Sequence, residues 1–111
     1  GYSDHVKLID YFTINNIPFT VLDSKKVLLN PKEQLEKLCT TLGILFLSAM
    51  LEWQKGARQE DGVWAKYWYK NIHNSTGFKP YSSKKEAFPE YLRPLLNECT
   101  PYYKRLSKLA L

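Results

Sequence analysis

The segment Pro18-Phe19-Thr20-Val21-Leu22-Asp23 is the one run in this chain that reads as a β-strand, a β-branched and aromatic stretch bounded by turn formers. A single strand cannot make a sheet, and alone it exposes unpaired backbone groups along both edges. Its partners must then lie in a missing segment or in another chain, or the segment is not a strand. One helix is predicted before it and another after it, the rhythm of an α/β unit. The expectation is therefore the latter part of a larger α/β domain. In isolation, such a chain should self-associate through the strand or leave it poorly ordered.

The rest of the chain reads as helical. Val6, Ile9, Tyr11 and Phe12 recur at helical spacing after Ser3, a candidate N-cap, so residues 4–15 are predicted to form an amphipathic helix ending at Asn15-Asn16. Asn30-Pro31-Lys32-Glu33 supplies a cap, a proline at the first helical position and a glutamate three residues after the cap. The apolar positions Leu35, Leu38, Cys39 and Leu42 follow, and Gly43 closes that helix. Ser48 begins a short helical turn through Trp53. Gly56 and Gly62 bracket a polar loop, Lys55 to Asp61. Trp64, Trp68 and Ile72 repeat every four residues, which predicts a helix from Val63 to Asn74. Its aromatic stripe is expected inside, against Leu35, Leu38 or the C-terminal helices. After a second loop, Thr76 to Phe88, Pro89 and Pro101 each begin a helix.

With 111 residues, 44% hydrophobic and 24% charged, the chain has the size and composition of one folded unit, residues 1–111, not of a disordered tail or a two-domain enzyme. Its longest apolar run, Ile44-Leu45-Phe46-Leu47, is too short to cross a membrane. The N-terminus shows no signal peptide, and Gly1 in place of an initiator Met suggests a processed or excised piece. The net charge of +5 favours anionic partners. The basic residues come in scattered pairs, such as Lys25-Lys26 and Lys84-Lys85, and so read as solvated surface in preference to a nucleic-acid stripe. Cys39 and Cys99 are too few for a disulfide framework and are expected to be reduced thiols in a cytoplasmic protein. His5 and His73 lack the spacing of a metal site, and no metal is expected.

Three stretches carry a family resemblance. The first runs from Val21-Leu22-Asp23 through Asn30-Pro31 to Leu35-Glu36-Lys37-Leu38-Cys39 and Leu42-Gly43-Ile44. It resembles the strand, turn and helix near the C-terminal end of P-loop sulfotransferases. The second is more distinctive: Met50-Leu51-Glu52-Trp53, Gly56, Glu60-Asp61-Gly62-Val63-Trp64-Ala65, Trp68-Tyr69 and Ser75-Thr76-Gly77-Phe78. It is similar to a series in bacterial and plant sulfotransferase-like proteins, some of them found beside branched-chain aminotransferases. The third, Pro101-Tyr102-Tyr103 with Arg105-Leu106, resembles that subgroup's closing segment.

The resemblance implies the C-terminal portion of a P-loop nucleoside triphosphate hydrolase fold, α/β overall but mostly helical here with one short strand. It implies binding of 3'-phosphoadenosine 5'-phosphosulfate and sulfuryl transfer to the hydroxyl or amine of a small-molecule acceptor. The phosphate-binding loop of such enzymes, a glycine-rich turn after the first strand, does not occur in these residues. The chain is therefore not expected to be active alone, and the missing N-terminal portion is its expected partner. Catalytic residues are not identified. Lys55-Gly56 and Gly62, with Arg58 between them, loosely resemble the late loop whose basic residues and amides contact the donor's 3'-phosphate. Lys55, Gly56, Arg58 and Gly62 are thus the candidate cofactor contacts, and an ordinary solvated loop is the alternative. A non-catalytic binding or interaction module on the same scaffold is the rival reading of the whole chain. A basic nucleic-acid-binding domain is a weaker one.

Overall fold

In the computed structural model, which describes residues 1–111, the chain forms six α-helices and two single 3₁₀ turns. The helices are α1 (Tyr2–Ile14), α2 (Ser24–Leu29), α3 (Pro31–Leu42), α4 (Ala65–Trp68), α5 (Lys70–His73) and α6 (Arg93–Leu109). The apolar face of α1 lies along α6, where Val6, Ile9 and Leu106 are buried together with Val21 and Tyr102 packed against them. Arg105 of α6 also pairs with Asp10 of α1 at the rim of this contact.

The cap signals read in the sequence act as expected on α3. The Asn30 side chain accepts the Glu33 N–H, and Pro31 occupies the first turn. Gly43 closes the helix in the left-handed region at φ +67°, where a Cβ would be strained. Cys39 is buried on this helix, with its sulfur 3.9 Å from that of Met50, and both cysteines are free thiols. α2 was not foreseen. Its cap is Asp23, whose carboxylate accepts the Lys25 N–H, and it folds back against α3.

Residues 18–23 do not form a strand in a sheet. The segment is extended, and it pairs through one parallel bridge between Val21 and Ala110. The Leu111 N–H donates to the Val21 carbonyl at 3.1 Å, and Lys26 Nζ donates to the carbonyls of Ala110 and Leu111. The chain's own C-terminal residues thus cover part of one edge. The segment also floors an open groove of about 350 Å³ between α1 and α6, lined mostly by apolar side chains including Leu8, Phe12, Phe19 and Leu22.

Three further expectations are corrected. The predicted helix over 63–74 is two single turns, α4 and α5, interrupted at Tyr69. Trp64 and Trp68 are 68% and 75% exposed, not inside; of that stretch only Ala65 is buried. Pro101, read as the start of a final helix, lies within α6, which the 3₁₀ turn at Glu90–Leu92 leads into. Proline removes one hydrogen-bond donor there. The helix continues because Tyr102 and Leu106, just beyond it, pack against α1.

The chain spreads its helices widely. Its radius of gyration is 17.0 Å, against about 13 Å for a compact chain of this length. It exposes 9348 Å², where a compact monomer of this mass exposes about 6,300 Å². Much of the excess is apolar, including Leu45, Val63, Trp64, Trp68 and Tyr91. No helix is long and apolar enough to cross a membrane.

Candidate functional site

The loop that carries Lys55, Gly56, Arg58 and Gly62 is built against residues 72–78. At its entry, Glu52 and Gly77 form an antiparallel bridge and the Trp53 N–H donates to the Thr76 carbonyl at 3.0 Å. The indole N–H of Trp53 donates to Ser75 Oγ at 3.0 Å, and Ser75 in turn donates to the Ile72 carbonyl. Phe78 meets the Trp53 ring edge to face, with centroids 5.4 Å apart. Gly77 sits close against the chain at Leu51: a Cβ there would lie 3.1 Å from the Leu51 carbonyl oxygen, tighter than an ordinary contact. The Ser75-Thr76-Gly77-Phe78 stretch is therefore the wall on which the loop's first strand of chain is held.

Further along, Gly56 adopts φ +123°, a conformation that other residues rarely take, and its N–H donates to the His73 carbonyl at 2.9 Å. The other end of the loop is fixed by Asp61. Its Oδ2 accepts the Arg58 N–H at 2.9 Å and lies 2.7 Å from His73 Nε2. The Asp61 N–H donates back to the Arg58 carbonyl at 3.1 Å. The Arg58 N–H and, after it, His73 hold the Asp61 carboxyl below the ordinary carboxylate range, so it is ionised at neutral pH.

This framework separates the four candidate residues by role. Lys55 and Arg58 are both exposed, and neither forms an ion pair with a carboxylate. Gly56 supplies the turn but spends its own amide on His73. Gly62 has open space where a Cβ would point, so packing within this chain does not demand it. Its carbonyl accepts the Ala65 N–H as the chain enters α4. The helix that follows, α4, is only one turn long and lends the loop no N-terminal dipole for an anion. Two free cations on a fixed, glycine-containing backbone are what remains for an anion to meet.

Asp61 and His73 were not foreseen as part of this site. They stand twelve positions apart, a spacing with no local signature, and His73 reads in the sequence as a lone surface histidine and not as a metal ligand. The cue present in the sequence was that both fall inside the most distinctive stretch of the resemblance.

Residues 10–110 match the sulfotransferase domain family, and the chain belongs to that family. Two plant relatives narrow the neighbourhood. The chain is 37% identical over 86 residues to branched-chain-amino-acid aminotransferase-like protein 2 of Arabidopsis thaliana. It is 40% identical over 86 residues to branched-chain-amino-acid aminotransferase-like protein 1 of the same plant. The matched stretch is 78% of this chain but only 15% and 16% of those proteins' lengths. No solved structure matches the chain.

Proposed function

We propose that the chain is the C-terminal part of a P-loop sulfotransferase domain that uses 3'-phosphoadenosine 5'-phosphosulfate. Membership of the sulfotransferase family supports the reaction class. When bound, the donor supplies the sulfuryl group that passes to the hydroxyl or amine of a small-molecule acceptor. Lys55 and Arg58 hold the donor's 3'-phosphate, with the open backbone at Gly56 and Gly62 allowing close approach. The observation that carries this reading is the loop itself, tied at Gly56 and at Asp61 to His73 while both cations stay unpaired. Burial of a phosphate against two such cations gives charge-assisted bonds about twice as strong as neutral ones.

The remainder of the donor site and the base that takes the acceptor's proton come from an N-terminal portion. It contributes the P-loop and the neighbouring strands of the sheet, and without it the chain does not turn over. The large exposed apolar surface and the groove beside residues 18–23 support a partial domain that such a portion completes. The setting is cytoplasmic, with Cys39 and Cys99 as thiols and no metal in the chemistry. Titrating the complete protein with 3',5'-adenosine bisphosphate tests the reading. Saturable binding is expected, and no binding with the N-terminal portion present would overturn it.

A second reading is a non-catalytic interaction module on the same scaffold, favoured by the outward-facing Trp64 and Trp68. The parent reading frame separates the two. A glycine-rich phosphate-binding loop upstream supports transfer chemistry, and its absence supports the module.

A further inference from the structure

We propose that His73 is the positioning residue of the loop that bears Lys55 and Arg58, holding the Asp61 carboxylate away from the Arg58 guanidinium. The inference rests on the reading of that loop as a contact for the donor's 3'-phosphate. One residue grips the loop at both ends: the His73 carbonyl takes the Gly56 N–H at 2.9 Å, and the imidazole Nε2 lies 2.7 Å from Asp61 Oδ2. The same carboxylate oxygen accepts the main-chain N–H of Arg58, not its side chain.

That distinction decides what the loop can bind. An ionised carboxylate three residues from an arginine is the natural internal competitor for its guanidinium, and a phosphate would have to displace it. Here Asp61 is engaged by the imidazole and by a backbone amide, and it makes no ion pair with Arg58. The edge of the Tyr69–His73 ring pair, with centroids 6.0 Å apart at 82°, fixes the imidazole from a second side. Asp61 and His73 are each only about one-fifth exposed, at 22% and 21% of their side chains. Partial burial strengthens the hydrogen bond between them relative to one in open solvent. Loss of the imidazole releases Asp61 to the arginine, so the defect falls on recognition of the 3'-phosphate and not on the rest of the nucleotide.

The test compares two probes on the complete protein, 3',5'-adenosine bisphosphate and adenosine 5'-monophosphate, which lacks the 3'-phosphate. His73→Ala is expected to weaken the bisphosphate about tenfold, the scale of one lost hydrogen bond to a charged group, and to leave the monophosphate unchanged. His73→Gln, which keeps a donor near the Nε2 position, restores the bisphosphate affinity. If the alanine variant fails to fold, His73→Phe, which keeps a ring against Tyr69 but carries no hydrogen-bonding nitrogen, takes its place: loss of the 3'-phosphate preference is expected, and its retention overturns the proposal. Equal weakening of both probes by His73→Ala, or no rescue by glutamine, overturns the proposal. If Lys55→Ala/Arg58→Ala abolishes the 3'-phosphate preference while His73→Ala keeps it, the positioning role is wrong and the loop assignment stands. If the double variant keeps the preference, the loop assignment falls, and the role of His73 falls with it.

Discussion

The Tyr103 hydroxyl of α6 donates to Asp23 Oδ2 at 2.8 Å, while the other oxygen of Asp23 accepts the Lys25 N–H and caps α2. One carboxylate thus joins the last helix to the start of the second, eighty positions away in sequence. The bond to Asp23, and next its negative charge, raise the phenol's pKa above the ordinary value of 10.0. A group whose folded pKa is raised contributes stability that is complete below its unfolded pKa and lost as pH rises through the folded one. The link is therefore intact at neutral pH and fails only in alkali. Asp23→Asn should bring the titration of the Tyr103 ring, followed by NMR, back toward 10; an unchanged titration would mean that the contact does not form in solution.

Leu106 sits where α1 and α6 meet, beside Val6 and Ile9. Leu106→Ala in the complete protein should cost about 2–5 kcal/mol, the usual range for a buried leucine truncated to alanine. Lys104→Ala, at an exposed and unpaired side chain of the same helix, serves as control and should stay within about 0.5 kcal/mol. Urea unfolding of the two variants checks both values, and similar costs would contradict this core.

Asp61 gives the loop an acid limit. Its pKa is lowered from 3.8 by the Arg58 N–H first and His73 second. A depressed carboxylate contributes stability that is full above the unfolded pKa and lost as pH falls through the folded value. The loop should hold its geometry from neutrality down to about that ordinary value and loosen below it. Amide exchange at Arg58 should accelerate in that acid range, and Asp61→Asn should remove the pH dependence.

Trp68, expected inside from its helical spacing, is 75% exposed. Trp68→Ala should therefore change the stability of this chain by less than about 1 kcal/mol, in place of the 3–5 kcal/mol of a core tryptophan. A larger cost by urea unfolding of the isolated chain would mean that the indole is covered, through self-association or repacking.

What the sequence disclosed depended on the range of the interaction. α1 and α3 were legible because their signals are local: apolar spacing on α1, and Asn30, Pro31 and Gly43 around α3. Asp23 before Ser24-Lys25 is an equally local cap, masked in the sequence because it closes the stretch that reads as a strand. The spacing of Trp64, Trp68 and Ile72 predicts which residues share a face, but not what that face meets, and here it meets solvent. Val21 with Ala110, and Asp61 with His73, are pairings at long or irregular separation that no periodicity encodes. The candidate cations Lys55 and Arg58 were visible as residues in a glycine-bracketed loop. The clamp that fixes their backbone was visible only once the chain was folded.

The most direct test of the account is calorimetric titration of the complete protein with 3',5'-adenosine bisphosphate, wild type against Lys55→Ala/Arg58→Ala. The account predicts a loss of about 2–4 kcal/mol in binding, since each charge-assisted bond contributes roughly 1.5–3 kcal/mol and neighbouring losses do not fully add. The unfolding midpoint should hardly move, because both side chains are exposed and unpaired. Wild-type affinity in the double variant would contradict the account and make residues 55–62 an ordinary solvated loop.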